Sequence, residues 1–340
     1  MNLKLDKYLL LFESCRLTKG VSRTLLYDHQ RNKIEFLDNV IYEIFTNHNK
    51  NKSLGAILSL YHGEDREAVI EYIIFLIQNE YVFYSEKEEV SFFPSLDTKW
   101  DDPSIITNCI IDFSSIPKDV SVYYKVFEEL DALGCENLQI RDFYGLSVDF
   151  LNELFEGIYK TAIHRVELLL KSNNELSDIQ AFLLKFPIVR EVTIHSAWIT
   201  KEMPTKTGTI FQFTEQKITD ENCCGIVAIN QFNLNWNHYL ESKNYNSCLN
   251  RKLSIDKFGN IKNCPSLKTS YGDISTTSII DAVNNKDFSK IWNIKKEDIA
   301  DCKVCEFRHV CTDCRAYLKT DLSFEKPAKC NYNPYTMEWA

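Results

Sequence analysis

Between residues 108 and 196 the chain alternates short apolar runs with longer amphipathic segments. The apolar runs NCIIDFS, NLQIRDF, RVELLL and VREVTIHS are each long enough for one strand. Three segments with apolar residues at helical spacing separate them, and the first ends at Gly134. Such alternation is typical of βα units, so we expect an α/β fold with a parallel sheet, extended by strands at GTIFQFT and GIVAIN.

The N-terminal part has a different pattern. KYLLLFESCRL and SRTLLYD are typical of short strands, and RNKIEFLD follows a turn at residues 28–32. A segment with apolar residues at helical spacing (Val69, Ile70, Ile73, Ile74 and Ile77) then leads into a strand at residues 81–84. This order predicts either a winged-helix-like peptide-recognition module in residues 1–94 or an ordinary α+β cap.

Two changes of pattern divide the chain into parts. Residues 95–107 are polar and contain Pro103, which indicates a linker to the βα region at 108–232. Beyond residue 232 regular periodicity is scarce, apart from a helix expected in SIIDAVNNKDFSKIW. The region 233–340 therefore needs stabilisation beyond an apolar core.

Charge and apolar content exclude several classes of partner. The net charge is -9 and the chain has no run of Lys or Arg, so we expect no nucleic-acid or membrane partner. We see no 18-residue apolar stretch and no signal-peptide pattern, so we expect a cytoplasmic protein. In that reducing compartment, twelve cysteines favour metal binding over disulfides.

Seven of the twelve cysteines fall in the last part of the chain. They are Cys248, Cys264, Cys302, Cys305, Cys311, Cys314 and Cys330, and four of them form two C-x-x-C pairs. Thiolates suit iron–sulfur clusters and zinc, so both remain open, with disulfides a third possibility. Seven ligands do not divide into zinc tetrads, but they fit two cubane clusters if one finds an eighth ligand or keeps an open iron.

The spacing C-x10-G-x4-C, then C-x2-C-x5-C-x2-C, then a lone cysteine resembles the SPASM domain. The third gap of the run is two residues, where that domain commonly has three. The stretches NSCLNRKLSIDKFGNIKNCPS, YGDIS, CEFRHVCTDCRAY and CNYNPYTMEW are similar to those of grasp-with-spasm system SPASM-domain peptide maturases. The resemblance covers roughly residues 220–340.

The resemblance implies two auxiliary [4Fe-4S] clusters. Cys248, Cys264 and Cys314 would hold the first, and Cys302, Cys305, Cys311 and Cys330 the second. Some family members take another first-cluster ligand at the position of Ser254, so that ligand is missing here. Cys223 or Cys224 could replace it; we prefer Cys224 because Gly225 lets the backbone approach closely, although both thiols could equally be buried and inert.

The same resemblance implies a degenerate radical SAM core, a partial βα barrel, in residues 108–232. The segment DFSSIPKDVSVYYKV after the first strand has no cysteine, so C-x3-C-x2-C is missing and cleavage of S-adenosylmethionine is not expected. Phosphate-binding glycine motifs are also missing, so the chain is not itself an ATP-using ligase.

Other chemistry-bearing residues have weaker patterns. Asp112, Asp142 and His195 fall at strand ends, and Arg308, His309 and Arg315 lie beside cysteines. Solvated or capping roles are expected for the aspartates, a satisfied or exposed position for His195, and solvent for His309 unless it binds zinc. The arginines could donate to cluster sulfurs, to backbone, or to peptide carboxylates.

We therefore expect a maturation factor for a ribosomally synthesised, post-translationally modified peptide. Its partners would be the precursor peptide and an ATP-grasp peptide ligase, as the resemblance implies. The alternative is a zinc- or cluster-stabilised, non-catalytic peptide-binding adaptor. The sequence identifies no catalytic residue, so whether the chain is an enzyme stays open.

Overall fold

The computed structural model describes residues 2–46, 51–117, 119–205, 207–320 and 324–340. The strands are β1 (Tyr8–Leu11), β2 (Cys15–Lys19), β3 (Thr24–Asp28), β4 (Lys33–Leu37), β5 (Val82–Ser85), β6 (Asn108–Phe113), β7 (Asn137–Asp142), β8 (Arg165–Lys171), β9 (Val189–His195), β10 (Lys201–Met203), β11 (Ile210–Phe213), β12 (Lys252–Ile255), β13 (Ile261–Lys262), β14 (Tyr332–Asn333) and β15 (Glu338–Trp339). The helices are α1 (Asn39–Thr46), α2 (Leu54–Leu58), α3 (Gly63–Gln78), α4 (Ser121–Ala132), α5 (Val148–Ile158), α6 (Leu176–Lys185), α7 (Trp236–Asn244) and α8 (Ile279–Val283).

The N-terminal part contains two small antiparallel sheets and three helices. Strands β2, β3 and β4 form a meander, and β1 pairs with β5 across the intervening helices. Leu26, Ile41 and Ile73 are fully buried in the core that these elements share. The strands predicted in this part and the long helix before the last of them are therefore confirmed.

The centre of the molecule is an eight-stranded, mostly parallel sheet with the order β10-β11-β9-β8-β7-β6-β12-β13. Strands β6, β7, β8, β9 and β11 are parallel neighbours, β12 is parallel to β6, and the two edge strands are antiparallel. The predicted α/β class with a parallel sheet is confirmed. Strands β12 and β13 come from beyond residue 232, so the sheet crosses the boundary expected there.

The two faces of this sheet differ in character. Right-handed crossovers between strands that neighbour in sequence place their helices on one face, and there the strands bury Ile111, Ile140, Leu168, Val192 and Phe211. The alternate positions on the other face include Gln139, Glu167, Glu191, Thr193 and Gln212. Amide side chains link this polar row, since the Gln212 amide donates to the Thr193 hydroxyl over 2.8 Å. The strands therefore bury apolar side chains on one face only, although the sequence had indicated nearly continuous apolar strands.

Two sequence predictions outside the βα units need correction. GIVAIN is not a strand: it begins at Gly225, whose φ is +81°, and runs into a 3₁₀ turn at Ile229–Gln231. The helix expected at residues 278–292 breaks into α8 and a separate 3₁₀ turn at Lys290–Asn293. The Asn285 side chain accepts from the Asp287 amide, which offers the backbone an alternative to continued helix.

The C-terminal part packs against both other parts. Leu25 and Tyr27 of β3 share an apolar cluster with Phe307, Val310 and further residues of the cysteine-rich segment. The Val21 amide donates to the Val304 carbonyl over 2.8 Å at the same contact. None of the helices in the described ranges combines the length and apolar character needed to cross a membrane.

Candidate metal centres

Four cysteines of the C-terminal part line one cavity. Cys302, Cys305, Cys311 and Cys330 line a small cavity of about 30 Å³. We call them the second cysteine group. Its remaining walls are mostly apolar and include Val227, Phe232, Phe307, Tyr332 and Trp339. A soft donor set inside apolar walls is suited to a cluster shielded from water.

Tight turns bring the sulfurs of this group to one place. The Cys305 amide donates to the Cys302 carbonyl over 3.0 Å, which closes the first C-x-x-C turn. The Cys311 amide donates to the Phe307 carbonyl over 2.9 Å, which closes a second turn that ends at Cys311. Phe307 is almost fully buried, and its side chain anchors the loop between the two turns. Short turns therefore bring three of the thiols together, and Cys330, from a later segment of the chain, lines the same cavity.

A second set of cysteines meets where the C-terminal part joins the central sheet. Cys224, Cys248, Cys264 and Cys314, the first cysteine group, come from four separate segments of the chain. Burial raises the pKa of the Cys248 thiol to about 12, an effect that Lys252 opposes and the three other thiols increase. These thiols are therefore close enough to interact, and a bound metal would have to displace a proton from Cys248.

The adjacent Cys223 and Cys224 have partly different neighbours. Cys224 acts on the pKa of both Cys248 and Cys264, and Cys223 is not among the groups that do so; both thiols lie near the guanidinium of Arg141, whose pKa they raise. A side chain at Gly225 would approach the Cys314 sulfur to 3.0 Å and the Tyr317 ring to 2.8 Å. Gly225 thus allows Cys224 to pass close to Cys314. The structure brings the preferred candidate into the group, and its role as a ligand stays a prediction.

The segment carrying Cys224 is held by hydrogen bonds rather than by regular structure. The Lys329 ammonium donates to the carbonyls of Asn222 and Cys224, each over 2.6 Å. The Tyr317 hydroxyl donates to the Glu221 carbonyl over 2.9 Å. A partly exposed thiol is therefore presented on a fixed backbone, as a cluster ligand requires.

Replacing Cys224 by alanine should lower the iron content of the purified protein, whereas replacing Cys223 should leave it unchanged. The two residues are adjacent, so both variants perturb the same backbone, and only Cys224 lies with the other three thiols. Iron and acid-labile sulfide measured on both proteins in parallel would check this. Equal losses in the two variants would contradict the assignment.

A lysine lies beside each cysteine group, and the sequence analysis missed both. Lys252 Nζ is 3.9 Å from the Cys248 sulfur. Lys296 is only 3% exposed, donates to the Thr312 carbonyl over 3.3 Å and opposes the burial that raises the pKa of Cys302. Thiolate-bound cubanes carry net negative charge, so a cation beside each group, half-buried at Lys252 and buried at Lys296, is favourable. Lys252 is four residues after Cys248, so its closeness in sequence was a signal that could have identified it. No sequence signal identifies Lys296.

The polar residues that flank the second cysteine group are engaged by the protein itself. Arg308 donates to the carbonyls of Lys19 and Cys305, over 2.7 and 2.9 Å. Arg315 pairs with Asp313 over 2.8 Å and donates to the Glu325 carbonyl over 2.5 Å. Of the roles expected for the two arginines, donation to backbone is therefore the one observed.

His309 does not face solvent as expected. Its side chain is buried, and its ring meets that of Tyr239 edge-on, with the ring centroids 5.6 Å apart. Burial lowers the pKa of His309 well below its ordinary value, and the nearby cation of Arg308 lowers it further. Its ring nitrogens lie 3.4 Å from the Ser242 hydroxyl and 3.4 Å from a Glu297 carboxylate oxygen. The residue is thus part of the packing between α7 and the cysteine-rich segment.

The candidates at strand ends are satisfied by neighbouring protein groups. Asp112 forms a buried bidentate pair with Arg141, over 2.6 and 2.7 Å. The Asp142 carboxylate accepts from three backbone amides of the following turn, and so it has the expected capping role. The ring of His195 is fully buried and contacts the Asp142 carbonyl at 2.8 Å. Ser254, also buried, donates to the Lys262 carbonyl.

Within the residues that the structure describes, no three His, Cys, Asp or Glu side chains converge as ligands of a single metal ion. In a cubane each thiolate binds a different iron, so the four sulfurs enclose a wider volume than the ligands of one ion. Both cysteine groups supply soft donors, and the second also has apolar walls around its cavity. On donor chemistry and surroundings, the residues present fit such clusters.

Comparisons with known proteins give little beyond this geometry. No family model and no curated protein matches the chain. The solved structures that match include that of the heterocyclase TruD, with 12% sequence identity and a TM-score of 0.20. The match covers 53% of this chain and 24% of that one, so this chain spans about a quarter of the TruD chain. A likeness at that level carries no argument about fold or function.

Proposed function

We propose that the chain is a maturation factor for a ribosomally synthesised, post-translationally modified peptide and acts with an ATP-grasp ligase. In this proposal it binds two iron–sulfur clusters and a precursor peptide, in the cytoplasm. The observation that carries the proposal is the gathering of eight cysteines into two groups of four, each beside a lysine. The family resemblance of residues 220–340 supplies the peptide and the ligase.

The central sheet supports a scaffold role in this proposal. We interpret it as a degenerate partial βα barrel whose polar face is the inner face. Strand β6 leads into Ser114 and Ser115, where a radical SAM enzyme would have its first cluster cysteines. A cluster bound by either cysteine group would supply electron transfer or Lewis acidity. The chain's own residues would hold and orient the peptide.

Peptide capture is assigned to the N-terminal part, read here as a winged-helix-like module. Among the described residues, β1 pairs with β5 alone and β2 pairs with β3 alone. A groove of about 610 Å³ is lined by residues of both β1 and β2. A peptide entering this groove as an extended strand could use backbone groups of either strand.

The non-catalytic adaptor is the second candidate, and the strand-end residues favour it. Asp112 is paired with Arg141, Asp142 caps a turn and His195 is hydrogen-bonded, so none of these three is poised as a general acid or base. An adaptor needs only the groove and a stable C-terminal part. The ligase would then perform all the chemistry.

The metal content of protein purified without oxygen tests the first proposal. We expect about eight irons and eight acid-labile sulfides per chain, with the broad visible absorption of cubane clusters. Zinc without sulfide would overturn the cluster assignment and leave a structural metal site. Co-expression of the ligase and a precursor peptide, with and without this chain, would then separate maturase from adaptor by product mass.

A further inference from the structure

The proposed peptide groove is not built by the N-terminal part alone. Two residues of α7, Tyr239 and Lys243, line it opposite the strands. Its other walls combine polar side chains, such as Glu13 and Arg16, with apolar ones, which include Leu9, Leu11, Leu17, Ile44, Phe45 and Phe93. Helix α7 belongs to the C-terminal part, so the groove is closed by the packing of the two parts against each other.

The charges within this groove do not balance. Arg16 is held by Glu13 over 2.6 Å, and its guanidinium lies 4.8 Å from the centre of the Trp236 ring. Lys243 has no ion pair or hydrogen bond from its ammonium among the described residues, and its contact is the Tyr239 ring at 5.6 Å. The groove therefore has one half-buried cation in excess.

The surroundings of Lys243 increase this excess. Burial lowers the pKa of Lys243; Glu297 opposes that effect, and Arg308, Arg16 and Lys295 add to it. Arg16 is already paired with Glu13, so Arg308 and Lys295 against Glu297 leave a positive field at this end of the groove. A negative group placed there would be attracted by the cations that have no carboxylate partner.

We propose that the groove binds an extended acidic peptide, with one Asp or Glu side chain paired to Lys243. This inference rests on the proposed function, since it takes the groove as the site of peptide capture. The apolar walls would receive alternate side chains of the peptide strand, and the carboxylate would set its register. Recognition thus depends on both parts of the protein.

A charge-reversal selection tests the proposal. The probe is a display library of random 12-residue peptides, panned on the full-length protein purified without oxygen and on its Lys243→Glu variant. The peptides selected by the natural protein should share an acidic residue at one position. The variant should lose the preference for an acidic residue at that position, with at least a tenfold loss of affinity for the first set. Lys286→Glu, an exposed lysine beyond α8, is the matched control and should select the acidic set.

The outcomes separate the two proposals. Because cations surround Lys243, a glutamate there gains neighbours of opposite charge, and thermal unfolding of the variant should match the natural protein. Peptides selected equally by both proteins, or without an acidic position, would overturn the pairing with Lys243 and leave peptide capture standing. The absence of any selected peptide on the natural protein would overturn peptide capture in this groove and the inference with it.

Discussion

Replacing Cys311 by alanine should remove about half of the iron, from about eight to about four atoms per chain. Cys311 lies in the cavity shared with Cys302, Cys305 and Cys330, so its loss leaves three thiols for that cluster. It also sits directly after Phe307 and Val310, which pack on Leu25 and Tyr27 of β3. The variant should therefore also be cleaved faster by protease in the exposed segment at residues 95–107.

A matched control separates ligand loss from the loss of a buried thiol. Cys135 is also buried, but in the core between the central sheet and its helices. Its replacement by alanine should lower stability slightly and leave iron and sulfide at the natural level. If Cys311→Ala retained all its iron, Cys311 would not be a ligand, and the second cysteine group would lose its proposed role.

Replacing Glu306 by glutamine should weaken the contact between the N-terminal and C-terminal parts. Glu306 is fully buried, and one carboxylate oxygen accepts from Arg23 over 2.7 Å and from the Tyr332 hydroxyl over 2.5 Å. The substitution leaves the charge of Arg23 without its partner. We expect a loss of about 2 kcal/mol in the free energy of unfolding, below the range for fully buried pairs because Arg23 is 22% exposed.

Denaturant unfolding and protease cleavage within residues 95–107 would measure this effect. Glu156→Gln, which breaks the exposed pair with Lys185, is the control and should leave both readings unchanged. Iron content should stay at the natural level in both variants. Glu306 is next to Cys305 in sequence, but it is not one of the proposed ligands. An unchanged unfolding midpoint for Glu306→Gln would show that the two parts do not depend on this pair.

Hydrogen bonds close to Glu306 connect the cysteine-rich segment to the strands of the proposed peptide groove. Arg308 donates to the Lys19 carbonyl from the same turn that carries Cys305. The strands that line the peptide groove and the cysteine-rich segment are thus joined by adjoining hydrogen bonds. A cluster that stiffens the segment would also fix one wall of the groove.

Local pattern was sufficient for most elements. The four strands and three helices of the βα region and the N-terminal strands are all present, because periodicity of apolar residues depends only on neighbours in sequence. The prediction was wrong at GIVAIN, where apolar letters lie in a loop that Gly225 and nearby hydrogen bonds hold in place. Apolar composition alone does not tell a strand from a loop, and in this loop the side chains of Ile226 and Ile229 are exposed.

The candidate metal centres also contain features that the sequence predicted and features that it did not. Spacing showed the two C-x-x-C pairs, and the family resemblance implied that Cys302, Cys305 and Cys311 would share one place; the structure joins these three by short turns. That Cys224 and not Cys223 lies with Cys248, Cys264 and Cys314 depends on which way each thiol points in a loop pinned by distant residues. Whether either group holds a cluster stays a prediction.

By itself the sequence determined the α/β class, the order of the elements and the cysteine spacing, since all three are encoded in residues close along the chain. Only the tertiary structure decided that lysines lie beside the cysteine groups and that α7 closes the groove at Lys243. It also decided that β12 joins the central sheet. These features bring together residues far apart in sequence, and their positions depend on how whole elements pack and not on the pattern within any one of them.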